Sequence, residues 1–165
     1  MTLTDKEKQV KALMEGSFVP ALHKVLSNAN PKEYQRWNGN ACRQTAILGV
    51  QLLRQFLPNY EWTVWDGDFS DILEGRKVKY NHAWVHGVDK QAKKGLLVDL
   101  SRNHHERLFI EVSENKYPRN NPTYKHMRLI NKIRIDDLKE MQDLEYFTAL
   151  PSMQVLAQVI IEMQK

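Results

Sequence analysis

The chain has one cysteine in 165 residues, Cys42, so it can build neither an internal disulfide nor a zinc site around paired thiolates. No apolar run approaches membrane-spanning length. The start, Met1-Thr2-Leu3-Thr4-Asp5-Lys6-Glu7-Lys8, holds no apolar signal core. Repeats, low-complexity tracts and internal domain boundaries are missing too. These absences argue against a disulfide-stapled secreted domain and a membrane-spanning helical protein. The expectation is one cytoplasmic domain over residues 1–165, long enough to bury a core without staples.

Basic charge is present but not organised for binding. The net charge is +4, and residues 102–134 carry eight Lys and Arg against three acids. Neither an arginine run nor a stacking-aromatic motif accompanies them. A solvated face is therefore expected, and nucleic acid is not an expected partner.

What the chain does have is a cysteine in a particular place. Trp37-Asn38-Gly39-Asn40-Ala41 is a turn rich in helix-capping residues, and a helix is predicted from Cys42 to Leu57, ended by Pro58. Ala46, Gly49, Val50, Leu53 and Leu57 share one face, with Ile47, Leu48, Leu52 and Phe56 covering much of the rest. Such a helix is expected to be buried nearly all round. A thiol on its first turn feels the positive end of the helix dipole, which favours a thiolate.

Ahead of it, Thr4-Asp5-Lys6-Glu7 fits a capping box for a helix burying Val10, Leu13 and Met14 and ending near Gly16. A second short helix is predicted around Phe18, Leu22, Val25 and Leu26, and a loop over Ser27 to Pro31. Beyond Pro58 the period changes. Glu61 to Trp65 reads as a strand ending in an Asp66-Gly67-Asp68 turn, with residues 69–79 as a surface loop. Tyr80 to Val88 alternates, placing His82, Trp84 and His86 on one face and Ala83, Val85 and Gly87 on the other. Leu96 to Leu100 follows as its hairpin partner, then Leu108 to Val112, a loop over 113–124, and a strand over His126 to Ile135. Asp136 should cap a helix with Leu138, Met141 and Leu144. A closing helix after Pro151 should bury Met153, Leu156, Ile160 and Met163, joined by Val159. Helices, an antiparallel sheet, then helices make an α+β fold.

A cysteine nucleophile needs a base, and the base needs an orienting partner. His82 opens one strand of the predicted hairpin and Asp99 closes the other. With about eight residues a side, that hairpin can bring them together, with Asp99 accepting from the second ring nitrogen of a His82 paired to Cys42. Each residue alone has an ordinary structural role, as a core thiol, a strand histidine or a strand-end carboxylate. The three in this order point to chemistry instead. Trp62, Trp65 and Trp84 are expected as core or cleft wall. His82 and His86 lie about 13 Å apart along an extended strand, too far for joint ligation. Neither a metal nor a cofactor is expected.

Gly39-Asn40-Ala41-Cys42, Asn81-His82-Ala83-Trp84-Val85 and Val98-Asp99-Leu100 together resemble the transglutaminase-like branch of the papain-like superfamily. The resemblance covers roughly Trp37 to Ser101. It departs from the family after the aspartate, where Leu100-Ser101 stands in place of a frequent proline. The resemblance implies a papain-like core and a Cys42-His82-Asp99 triad acting on the amide of a peptide or protein substrate. Hydrolysis is the first expectation, with acyl transfer to an amine, or a non-catalytic binding module of the same fold, as alternatives. The backbone N–H of Cys42 is one oxyanion donor by position, and Gln35, Trp37 and Asn38 are side-chain candidates. Papain relatives carry a glutamine about six residues before the cysteine, where this chain has Arg36, with Gln35 one residue further out.

Overall fold

Thr4 begins the fold as its spacing to Glu7 predicts. Its hydroxyl accepts from the Glu7 N–H at 3.2 Å, and its own N–H donates to Glu7 Oε1 at 3.0 Å, in a computed structural model that describes residues 3–36, 41–101, 106–112, 126–135 and 150–165. Helix α1 (Asp5–Leu13) does not end at Gly16. It runs through one wide π turn (Met14–Phe18), closed by the Val19 N–H on the Met14 carbonyl, into α2 (Val19–Ala29). The wide turn loosens the backbone where Pro20 has no N–H to give, so the helix passes the proline instead of stopping. Met14 and Phe18 are both fully buried.

The loop expected over Ser27 to Pro31 shrinks to Asn30. Its side chain accepts from the Glu33 N–H at 3.3 Å and caps α3 (Pro31–Arg36). Helix α4 (Cys42–Phe56) starts at the cysteine and buries Thr45 to Val50, Leu52 and Leu53. Gly49 faces the Phe18 ring, which a Cβ there would meet in ordinary contact at 3.4 Å. Helix α5 (Ser152–Met163) buries Val155 and Val159, while Met153, expected inside, is 67% exposed.

Five antiparallel strands form the sheet in the order β4-β3-β2-β1-β5. They are β1 (Glu61–Leu73), β2 (Arg76–Asp89), β3 (Lys94–Asp99), β4 (Leu108–Val112) and β5 (Arg128–Arg134). The α+β class is observed. The Asp66-Gly67-Asp68 turn and the 69–79 loop are not. β1 continues through both, and the hairpin turns at Glu74 and Gly75, whose φ angles of 52° and 77° give the left-handed pair of a two-residue turn. Gly67 is needed within the strand, because a Cβ there would meet the Trp84 ring at 2.8 Å.

The sheet separates two cores. Trp62, Val64, Ala83, Val85, Leu96 and Val98 pack with the helices, and Phe69, Trp84, Leu97, Leu108 and Met127 form the cluster on the other face. Ile133, one of the alternating apolar residues of the last strand, is 67% exposed on β5, an edge strand. Among the described residues no helix is long and apolar enough to cross a membrane. The Trp37-Asn40 turn, the 113–124 loop, His104-His105 and the helix expected from Asp136 lie outside the described residues.

Candidate active site

β2 and β3 pair with Val85 opposite Val98, which places His82 and Asp99 at the same end of the hairpin. Their side chains meet. His82 Nε2 lies 2.7 Å from Asp99 Oδ2, and both residues are buried. Phe69, from the core cluster on that side of the sheet, stands against the ring, with the two centroids 6.3 Å apart. A carboxylate at this depth is tolerable because it is doubly engaged. The Ser101 hydroxyl donates to its other oxygen, Oδ1, at 3.2 Å and stands 3.4 Å from His82 Nε2. Ser101 occupies the region where a frequent proline was missing from the motif. That departure from the pattern was the signal that could have found it.

Cys42 comes from a different layer. It opens α4 half-buried, near enough to the His82 ring to favour the ring's charged form. Burial alone would discharge the imidazole. The Asp99 charge and hydrogen bond, with Cys42 adding to them, outweigh burial and push the ring's pKa up to about 10. The imidazole therefore carries its proton across the neutral range. Its Nε2 edge is turned to Asp99 and Ser101.

Family models, curated proteins and solved structures give no match to this chain. The site has to be read from its own residues.

Behind Cys42 a cavity of about 10 Å³, lined by Thr45, Ala46, Ala83, Val98 and Ser101 among others, has room for about one water. No peptide fits there, so any substrate approaches Cys42 from its exposed side. By helix geometry the N–H groups of Cys42 and the next two residues have no acceptor within α4, and they sit at the positive end of its dipole. Gln35 lies exposed on α3. Trp37 and Asn38 lie outside the described residues. His86, on the same face of β2 as His82, is also buried, but burial and then the Lys132 charge push its pKa down to about 4. Among the described residues no three His, Cys, Asp or Glu side chains are grouped to hold a metal ion.

Proposed function

We propose that the chain is a cysteine-dependent amide hydrolase, a small transglutaminase-like member of the papain-like superfamily acting on a peptide or protein. The observation that carries this reading is one ring with two partners. Asp99 holds His82 Nε2 at 2.7 Å, and the Cys42 side chain adds to the charged form of the same ring. Support also comes from the order of the parts. A cysteine opens a buried helix, and histidine and aspartate follow on adjacent antiparallel strands.

In this reading the charged imidazole supports a Cys42 thiolate before substrate arrives. The sulfur attacks the amide carbonyl, forming a C–S bond and an oxyanion that the first N–H groups of α4 can receive. The His82 proton passes to the leaving nitrogen as the C–N bond breaks, leaving a thioester. Water then attacks the thioester, giving up a proton to neutral His82. The acid leaves, and the thiolate–imidazolium pair is restored. Asp99 keeps the ring oriented throughout and holds the Nε2 proton. Hydrolysis is preferred to amine transfer because water requires no acceptor site. A lone reduced thiol suits a cytoplasmic setting.

The test is the pH dependence of Cys42 alkylation by iodoacetamide, read by intact mass, beside peptide turnover. Alkylation at pH 6, well below the ordinary thiol range of about 8.5, is expected. Product formation from a defined peptide mixture should be abolished by Cys42→Ala. Alkylation that begins only above about pH 8, or only on unfolding, would mark a structural cysteine.

A further inference from the structure

The residue after Cys42 and the residue before His82 meet on a third segment. Arg43 reaches from the first turn of α4 to β1, where its Nη2 lies 2.6 Å from Asp66 Oδ2. The same nitrogen donates to Asn81 Oδ1 at 3.5 Å. The Asn81 amide nitrogen in turn donates to the other Asp66 oxygen, to Asp68 Oδ1 at 3.1 Å and to the Gly67 carbonyl at 3.3 Å. Asp66 is only 5% exposed.

Packing alone does not call for this carboxylate. It alternates with Trp62 and Val64 on the helix side of β1, and an apolar residue there would often serve stability as well as a buried ion pair. What the charged group does is tie together three segments, α4, β1 and β2, beside the two residues that must face each other. A helix turned by about 20° carries a side-chain atom about 5 Å from its axis through nearly 2 Å. Misplacement of about 1 Å can cost about 10²-fold in rate. Fixing Arg43 fixes the rotation of the turn that carries Cys42.

We propose that Arg43, Asp66 and Asn81 are positioning residues, a clamp that sets the α4 N-terminus against β2 and so the approach of Cys42 to His82. The clamp rests on the thiol chemistry proposed above, and its test separates the two. The rate of Cys42 alkylation by iodoacetamide is measured from pH 5 to 9 for the wild type, Arg43→Ala, Arg43→Lys, Asp66→Asn and Asn81→Ala, with a thermal melt for each. A clamp predicts a loss of at least about 10-fold at pH 6 for Arg43→Ala, Asp66→Asn and Asn81→Ala, with partial recovery in Arg43→Lys. A simple field effect on the sulfur predicts something else. Removing the Asp66 charge would then hold or raise the rate, and Asn81→Ala, which changes no charge, would do nothing. Asn81 is exposed, so its alanine variant keeps the fold and decides the matter should Asp66→Asn fail to fold. Wild-type rates in Asn81→Ala, or in a folded Asp66→Asn, overturn the clamp alone. A wild type without reactivity at pH 6 overturns the thiol reading and leaves the clamp nothing to position.

Discussion

β3 carries a buried charge pair at each end, and the two are built differently. At its start, Lys94 Nζ lies 2.6 Å from Glu7 Oε1, and at its end Asp99 Oδ2 lies 2.7 Å from His82 Nε2. The Glu7 pair is closed. Its Oε1 also accepts from the Thr4 N–H, and its Oε2 from the Tyr60 hydroxyl. Burial pushes the Glu7 carboxyl up, but Lys94, Tyr60 and Thr4 together bring it below its ordinary value. Neither Glu7 nor Lys94 meets a nucleophile. The Asp99 pair is open, because its imidazole has a half-buried thiol as a further partner. Burial and pairing therefore do not mark a site. On the proposed reading, what sets the Asp99 end apart is a titratable ring between a carboxylate and a thiol.

The sharpest break in that contrast is His82→Ala. It should lower Cys42 alkylation at pH 6 by about 10²-fold or more, measured by intact mass. Glu7→Gln, at the other end of β3, should leave the shape of that pH profile unchanged. A His82→Ala profile that overlays the wild type would separate the thiol from the ring.

Asp99→Asn comes next. It keeps the size but removes the charge that supports the imidazolium, and a loss of roughly 10- to 1000-fold in kcat is expected with little change in KM. Full turnover from a well-folded Asp99→Asn protein would reduce Asp99 to a strand-end residue.

At the closed end the effect should fall on stability. Glu7→Ala leaves the Lys94 ammonium only the more distant Glu111, at 4.0 Å, and should cost about 2 kcal/mol, a drop in Tm of roughly 6 °C. The native Glu7 carboxyl is lowered, so its contribution is present above its ordinary value of 4.5 and is lost as pH falls through the native value. An acid limb that persists unchanged in Glu7→Ala would assign that limb to other groups.

The smallest effect concerns the two histidines of β2, whose pH signs are opposite. The raised His82 pKa gives stability that is intact below about 6.5 and lost as pH rises toward about 10. The lowered His86 pKa gives stability that is intact above about 6.5 and lost as pH falls toward about 4. His86→Gln should flatten the slope of unfolding free energy between pH 6.5 and 4 in urea titrations. It should leave Cys42 alkylation untouched, and a slowed alkylation would place His86 in the same network as His82.

The parts of the site that were legible in the sequence carry strong local signals. The Cys42 helix has a wide apolar face and a proline stop, and the strand around His82 alternates cleanly, so the distance from His82 to Asp99 could be read as a hairpin. The misses have a common cause, tertiary partners that overrule local punctuation. Asp66-Gly67 looks like a turn until Arg43 and Asn81 satisfy the aspartate and Trp84 claims the space beside the glycine. Gly16 looks like the end of one helix and Pro20 like the start of another, until a π turn joins the two. Ile133 and Met153 match apolar periods but face outward, because β5 is an edge strand and α5 turns Val155 and Val159 to the core instead. Ser101 carries no periodic signature two residues beyond an aspartate, so only its departure from the proline pattern points to it.

The order of the strands also says when the site can assemble. Among the described strands, β1 to β4 pair in chain order as a meander, and only β5 must reach back across the chain to join β1. Neighbouring hairpins close at little entropic cost, whereas distant pairings form late. His82 and Asp99 belong to one hairpin and can meet as soon as it zips, but Cys42 must wait for α4 to dock. During refolding, proton uptake by His82 should therefore precede the gain of Cys42 reactivity toward iodoacetamide at pH 6. The acid–base pair would exist, briefly, as a base without its nucleophile.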